Sequence, residues 1–421
     1  MKTQLPSIFF WRLAAAGLVI ISLCLAGISP ASAADPISLS TFTTFDDGSY
    51  PSGLLYGPDQ ATWYTLAGSG KLGWFDGSSQ GGYPLSNLSS RPLDIAIGAD
   101  QAVWFTEEDG NQIGRYTGTD GLTEFTLPAA NSSPHEMVLG QDQAIWFTEF
   151  DNNAIGRITS QGDIREFTLP HLNSKPQSIV SDMDGNLWFT EWNGYRIGKI
   201  TLQGEITEYA IPTPPARPAE LLYGPDGALW LTFNTGKKIA RFDTASESFT
   251  YHTLATTNAA LMDLTIGPDG LVWFLGTQAV GNFAVVNGAP ADLIEEALAA
   301  PIYSYSGRSQ MISGPDNDIL FTAANSSVVS KATLAGSAVL RDLQIFITYR
   351  PPMLLAAGEF YIDTQINNWT NTTASGMTLD LTLDADIHFV SVDLVGASCV
   401  DSGLTVKCAL PDLAAGASVP V

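Results

Sequence analysis

The sequence predicts an all-β chain, a seven-bladed β-propeller followed by a small β-sandwich domain. Three observations carry this. A motif of a Gly-x-Asp turn, an apolar pair ending in Trp, and Phe-Thr recurs along the first three quarters of the chain. Its anchors are Trp63, Trp104, Trp146, Trp188, Trp230, Trp273 and, in the Trp position of the last copy, Leu320; the spacings of 41, 42, 42, 42, 43 and 47 residues match a four-stranded blade. Beyond Arg341 the repeat stops and alternating strand patterns of another kind begin.

The elements follow in chain order. Lys2 and Arg12 flank an apolar run from Leu13 to Ile28, and Ala31-Ser32-Ala33 completes the order of a secretory leader, so residues 1–33 are expected to be removed and the mature chain to be secreted or held at the cell surface. No later segment is apolar for about 20 residues, so no membrane span is expected in the mature chain. The propeller is expected over 35–340. Around Trp188 the strands read as Ser178–Ser181, Leu187–Glu191, Arg196–Thr201 and Ile206–Ile211, short, rich in β-branched and aromatic residues, and bounded by Gly, Asn, Asp and Pro. Ala291 to Ala300 reads as a helical insertion that accounts for the 47-residue spacing. The seventh repeat supplies three strands, and Ile37 to Phe45 reads as the fourth, closing the ring against Ser330 to Leu334 and removing an open edge. The recurrent Trp and Phe are expected in the core between blades, and Asp182-Met183-Asp184-Gly185 as a hairpin turn, since it lacks the remaining oxygen ligands of a calcium loop.

Residues 341–358, with Tyr349-Arg350-Pro351-Pro352, read as a linker. Residues 359–421 resemble immunoglobulin-like repeats of bacterial surface proteins, with a Cys-turn-Cys hairpin at Cys399 and Cys408. In an oxidising compartment these two cysteines are expected to form a disulfide, Cys24 leaving with the leader. Such a domain would continue with another strand after Val421, so it is expected to be incomplete, with any cell-surface attachment carried by sequence further on.

Composition narrows the partners. The chain carries 19 Lys+Arg against 43 Asp+Glu, so it offers no basic surface for a phosphate backbone, and nucleic acid is excluded as a partner. The negative field favours cations or serves solubility. With 45% hydrophobic residues, 39 Gly and 24 Pro, this is a packed, turn-rich β protein.

The phrases IGRITSQGDIREFTLP from Ile155 and IGKITLQGEITEYAIP from Ile197, each after WFTE and a short polar loop, resemble the repeat of the streptogramin B (virginiamycin B) lyases. The resemblance covers about Phe45 to Leu334 and is strongest over Ile95 to Pro212. It implies a propeller using magnesium or another divalent cation to linearise a cyclic depsipeptide by elimination across its ester. It also implies catalytic histidines in a Pro-His motif eleven residues before the Trp, in two neighbouring late blades. The equivalent positions here are Ser52, Leu93, His135, Gln177, Ala219, Met262 and Ser309. Only Pro134-His135 matches, in the third repeat; Ala323 and Ala324 stand where the family has a carboxylate.

In each blade the residue eleven before the anchor and the residue three after it should share one end of the first hairpin. That places His135 near Glu149, Gln177 near Glu191 and Leu93 near Glu107, while position ten before the anchor adds Asp94, Glu136, Glu220 and Asp263. All are expected around one mouth of the central channel. There a carboxylate can orient His135 as a general base, with Glu149, Glu191 and Glu136 around a divalent cation and Glu107, Asp94, Gln177, Glu220 and Asp263 facing the ligand. Equally open is that these glutamates are solvated or bond the turn ahead of the third strand. Three functions therefore stay open: a metal-dependent lyase opening a cyclic ester or depsipeptide, a platform binding an extracellular small molecule, glycan or peptide, and a purely structural cell-surface module.

Overall fold

The structure, a computed structural model, describes residues 37–334 apart from 58, 213–216, 257–259, 303–308, 315–317 and 324–325, together with the backbone of seven further strands. The chain divides into two units, one of residues 35–335 and one of residues 1–34 with 336–421. Among the described residues no helix is long and apolar enough to cross a membrane.

The first unit is seven four-stranded antiparallel sheets. Six blades run in chain order, as in blade 3 with Pro134–Leu139, Ile145–Glu149, Ala154–Ile158 and Ile164–Thr168. The first strands of neighbouring blades lie against one another and form the innermost layer. Blade 7 takes three strands, Met311–Ser313, Ile319–Thr322 and Val328–Leu334, from the end of the unit and its fourth, Ile37–Thr44, from the beginning. Ile37 stands opposite Leu334 and Thr44 opposite Val328, so the expected closure is present. It joins residues almost 300 apart without leaving a bare edge.

The repeat is legible in the packing. Trp104, Trp146, Trp188, Trp230 and Trp273 are buried between blades; Trp146 packs with Phe189 and Ile179 of blade 4 while its neighbour Phe147 faces Trp104 of blade 2. Strand alternation sends successive side chains to opposite faces, so the Trp-Phe pair supplies both interfaces of its blade. Gly156 makes room for that Phe: a Cβ there would lie 2.1 Å from the Phe147 ring.

The Thr that follows does a different job. Thr148 Oγ1 accepts from the Glu136 amide (3.1 Å) and donates to the Gln177 carbonyl of blade 4 (2.7 Å). Thr65, Thr106, Thr190 and Thr322 repeat this clip, each filling a register shift in its own inner hairpin or reaching the next inner strand. A hydroxyl that both accepts and donates satisfies two buried backbone groups at once.

Two sequence expectations are corrected. Ala291 to Ala300 is not helical: Ala289–Ala297 is a strand paired with Ala279–Val286, so blade 6 gains its extra length as a longer outer hairpin. Ala, Leu and Glu are good helix formers, but local propensity amounts to only tenths of a kcal/mol per residue, and pairing to a buried neighbour overrides it. Within the expected linker, Leu343–Tyr349 is a strand paired with Ile362–Asn368, which also pairs with Ser418–Pro420. The second unit further contains a sheet in which Met377–Thr382 lies between Ile20–Leu25 and Thr405–Ala409, the latter paired with Ser398–Asp401. Ile20–Leu25 falls inside the expected leader; its run of Ile and Leu suits a strand as well as an apolar leader segment.

Candidate functional site

The expected pairing of positions holds for the backbone. Pro134 stands opposite Glu149, Pro176 opposite Glu191 and Pro92 opposite Glu107, so His135 and these glutamates share one end of the ring. The side chains sort differently, into three groups.

The first group is the glutamates at the ends of the second strands. Glu107, Glu149 and Glu191 are each fully buried, on the same strand face as Phe105, Phe147 and Phe189 and therefore between blades. Each is closed over by the turn that leads to the third strand. Asn152 in that turn donates to Glu149 Oε2 (2.6 Å), and Gly194 lies so close over Glu191 that a Cβ would come within 2.4 Å of Oε2. Burial pushes all three carboxyls up to about 7; hydroxyls of Ser90, Ser132 and Ser174 beside them act the other way, and the charges of Glu124, Glu166 and Glu208 on the outer strands add to the rise. Of the two readings left open by the sequence, bonding to the turn describes Glu149.

The second group is the carboxylates ten residues before each anchor. Asp94, Glu136, Glu220 and Asp263 are buried at the innermost layer, and Asp94, Glu136 and Asp263 join blades there. Asp94 accepts from the Met137 amide of blade 3 (2.7 Å) and from Gln310 Nε2 of blade 7 (3.0 Å). Glu136 accepts from Ser178 Oγ (2.8 Å) and the Ile179 amide (3.1 Å) of blade 4, and Ser178 Oγ accepts in turn from the Leu221 amide of blade 5. Asp263 accepts from the Met311 amide of blade 7. A carboxylate that accepts from backbone amides of the next blade is a structural fastener.

His135 belongs to the third group, and its partner is not Glu149. Its Nε2 lies 3.4 Å from Glu108 Oε1, and its ring stacks on Phe150 with centroids 4.5 Å apart and planes within 4°. Burial pushes the Glu108 carboxyl up, but His135 and Arg91, which pairs with the same carboxylate, outweigh it and hold the group below the usual carboxylate range. Lys175 also sits 5.0 Å over the Phe150 ring and pairs with Asp151, which also accepts from Ser133 Oγ (2.8 Å). The result is a half-buried alternation of charge across blades 2 to 4. Gln177, at the equivalent position of blade 4, is half-buried and contributes its carbonyl to the Thr148 clip. The partners that sequence reasoning missed, Glu108 and Phe150, are the fourth residues after Trp104 and Trp146, one position beyond the pattern that was followed.

These placements bear on a metal. Among the described residues no group of three or more His, Cys, Asp or Glu side chains is disposed to hold an ion. Glu149 and Glu191 lie in separate closed pockets and Glu136 is engaged by blade 4, so the expected set of Glu136, Glu149 and Glu191 with His135 does not converge and does not fit a magnesium ion.

A closed seven-bladed propeller with one histidine eleven residues before an anchor defines the class of protein. The model of the virginiamycin B lyase family matches residues 38–224 and 78–289. A crystal structure of selenomethionine-substituted virginiamycin B lyase from Staphylococcus aureus superposes with a TM-score of 0.63 at 32% identity, covering 71% of this chain and 99% of that one. A streptogramin B lyase structure follows at 28% identity and a TM-score of 0.62, covering 71% of this chain and 98% of that one. A catalytically inactive form of the Staphylococcus aureus enzyme with quinupristin is similar to the same extent as the first, at 32% identity and a TM-score of 0.63. Among curated proteins none matches. This chain belongs to the virginiamycin B lyase family.

Proposed function

We propose that this chain is an exported member of the family that binds a peptide-like extracellular ligand at the end of the ring bearing His135, and that it does not open cyclic esters. The leader-like sequence before Ala33 supports export; cleavage there would also take Ile20–Leu25 out of the mature protein. The immunoglobulin-like resemblance of residues 359–421 supports a spacer role for the second unit.

The observation that carries the binding reading is the state of His135. An eliminating base needs a free ring nitrogen aimed at the substrate proton and a partner that activates the leaving group. Here Nε2 is turned to Glu108, one ring face is covered by Phe150, and Met262 and Ser309 stand where late blades of the family carry histidine. What remains is a partly exposed surface of Arg91, Asp151, Lys175 and His135, suited to amide and carboxylate groups.

Quinupristin tests this. Incubated with the protein and magnesium, it should remain cyclic by chromatography, while calorimetric titration should show binding that His135→Ala and Lys175→Ala weaken. The family favours a second reading, elimination with the proton leaving to His135 and the ester oxygen departing as carboxylate. Ring opening abolished by His135→Ala would establish that reading and sink the first.

A further inference from the structure

At the end of the ring opposite His135, blades 2 to 5 each cap their anchor Trp in the same way. Asp142 accepts from Trp146 Nε1 (3.0 Å) through one oxygen and from Arg157 Nε (2.7 Å) through the other, with the guanidinium 5.8 Å over the indole. Asp100, Trp104 and Arg115 repeat the arrangement in blade 2, and Asp226, Trp230 and Arg241 repeat the Asp-centred bonds in blade 5. In blade 4 the cation is Lys199, 5.6 Å over Trp188. Each of these four blades therefore supplies its own cation to a site made of an indole face and a carboxylate.

Blade 1 keeps the site and omits the cation. Trp63 Nε1 lies 3.1 Å from both oxygens of Asp59, but the residue opposite Trp63 on the third strand, where blades 2 to 5 have Arg or Lys and blade 6 has Asn282, is Trp74. Asp59 has no cationic partner among the described residues. A cleft of about 450 Å³ lies between blades 1 and 2, lined by Asp59, Trp63, Trp74, Asp76, Tyr83 and Tyr116. Blade 1 is built to accept the larger ring: Trp74 faces Gly81 across the outer pair, and a Cβ at Gly81 would fall 2.8 Å from it. Tyr83 and Tyr116 are locked together by a 2.7 Å bond between their hydroxyls and pack against Trp63 (5.1 Å from Tyr116). The aromatic wall is thus preorganised, and two carboxylates stand at its rim in a chain of net charge −24.

The structure assigns this cleft as a binding site for an alkylguanidinium, an external arginine-type group taking the place that Arg115, Arg157 and Arg241 hold in their own blades. The ligand's N–H groups would meet the free lone pairs of Asp59 while its plane lies on the indoles, a pairing of planar donors with a carboxylate and aromatic faces that guanidinium makes better than ammonium.

The test is calorimetric titration of the full chain with acetyl-arginine amide and with agmatine, using the citrulline counterpart as neutral isostere and the trimethyl-lysine counterpart as a cation without N–H donors. Saturable binding of either guanidinium is expected; agmatine alone would point to a free small molecule, and the capped residue as well to a peptide side chain. Both control compounds should bind at least about tenfold more weakly, since a hydrogen bond to a charged group is lost. Trp74→Arg restores the internal cation and should abolish binding while melting at or above the wild-type temperature; Asp59→Asn should weaken it by about tenfold and carries the same test should the arginine variant fail to fold. No saturation with wild type, equal binding of citrulline, or unchanged binding in both variants would overturn the assignment.

Discussion

Replacing Glu149 by Gln should stabilise the propeller at pH 8 and leave it nearly unchanged at pH 5. Glu149 is fully buried, with one oxygen bonded to Asn152 and the other without a hydrogen-bond partner. Burial, aided by the charge of Glu166 and opposed by the Asn152 bond, raises its pKa from 4.5 to about 7. A carboxyl whose folded pKa lies above its unfolded value keeps its proton longer in the native state. Its contribution is fully present below about pH 4.5 and is lost as pH rises to 7. A difference of about 2.5 pH units at about 1.4 kcal/mol each makes the ionised group cost the fold on the order of 3 kcal/mol at pH 8. Gln has the same shape, keeps an acceptor for Asn152 and cannot ionise. In a domain of this size that corresponds to a melting temperature roughly 6 °C higher than wild type at pH 8, with the gap closing toward pH 5. Scanning calorimetry of both proteins between pH 5 and pH 8.5 measures it. A variant less stable than wild type at pH 8, or a gap independent of pH, would mean that the carboxylate is ionised and compensated in the fold, and the desolvation reasoning would fail.

Other outcomes follow from the same geometry. Thr148→Val strips two buried backbone groups of their partner and should cost about 2 kcal/mol in urea unfolding, more than an exposed Thr→Val control such as Thr126→Val; equal costs would deny the clip a role. Millimolar magnesium or calcium should leave the melting temperature unchanged, because Glu149 and Glu191 are in separate pockets; a rise that Glu149→Gln with Glu191→Gln removes would restore the metal-dependent lyase reading. Cys399 stands directly opposite Cys408 in the pairing of their two strands, so thiol titration of the unfolded, unreduced protein made in an oxidising compartment should find neither free. Two reactive thiols would refute the disulfide.

The candidate site divided along a physical line. Residues three after Trp104, Trp146 and Trp188 could be placed at the correct end of the ring because a hairpin register is fixed by its turn and hydrophobic pattern. Whether those glutamates opened to the axis or closed between blades depended on neighbours 14 residues before and 20 after the anchor. Ser90, Ser132 and Ser174 and Glu124, Glu166 and Glu208 accompany Glu107, Glu149 and Glu191 in the same three repeats, a signal present in the sequence but read only once the pockets are seen. His135 met Glu108 because its contact crosses from blade 3 to blade 2, and no spacing within one repeat reports such a crossing.

By itself the sequence determined the number of blades, the strand order within each, the closure by Ile37–Thr44 and the burial of the Trp-Phe pairs, because these follow from a period, an alternation and the need to cover a sheet edge. Only the tertiary structure decided that Ala289–Ala297 is a strand, that Asp94, Glu136 and Asp263 fasten adjacent blades, that His135 faces Glu108, and that blade 1 lacks the cation that blades 2 to 5 carry. Each of those is an interaction between residues that different strands or blades bring together, and its energy depends on which groups are left for a side chain once the backbone has closed around it.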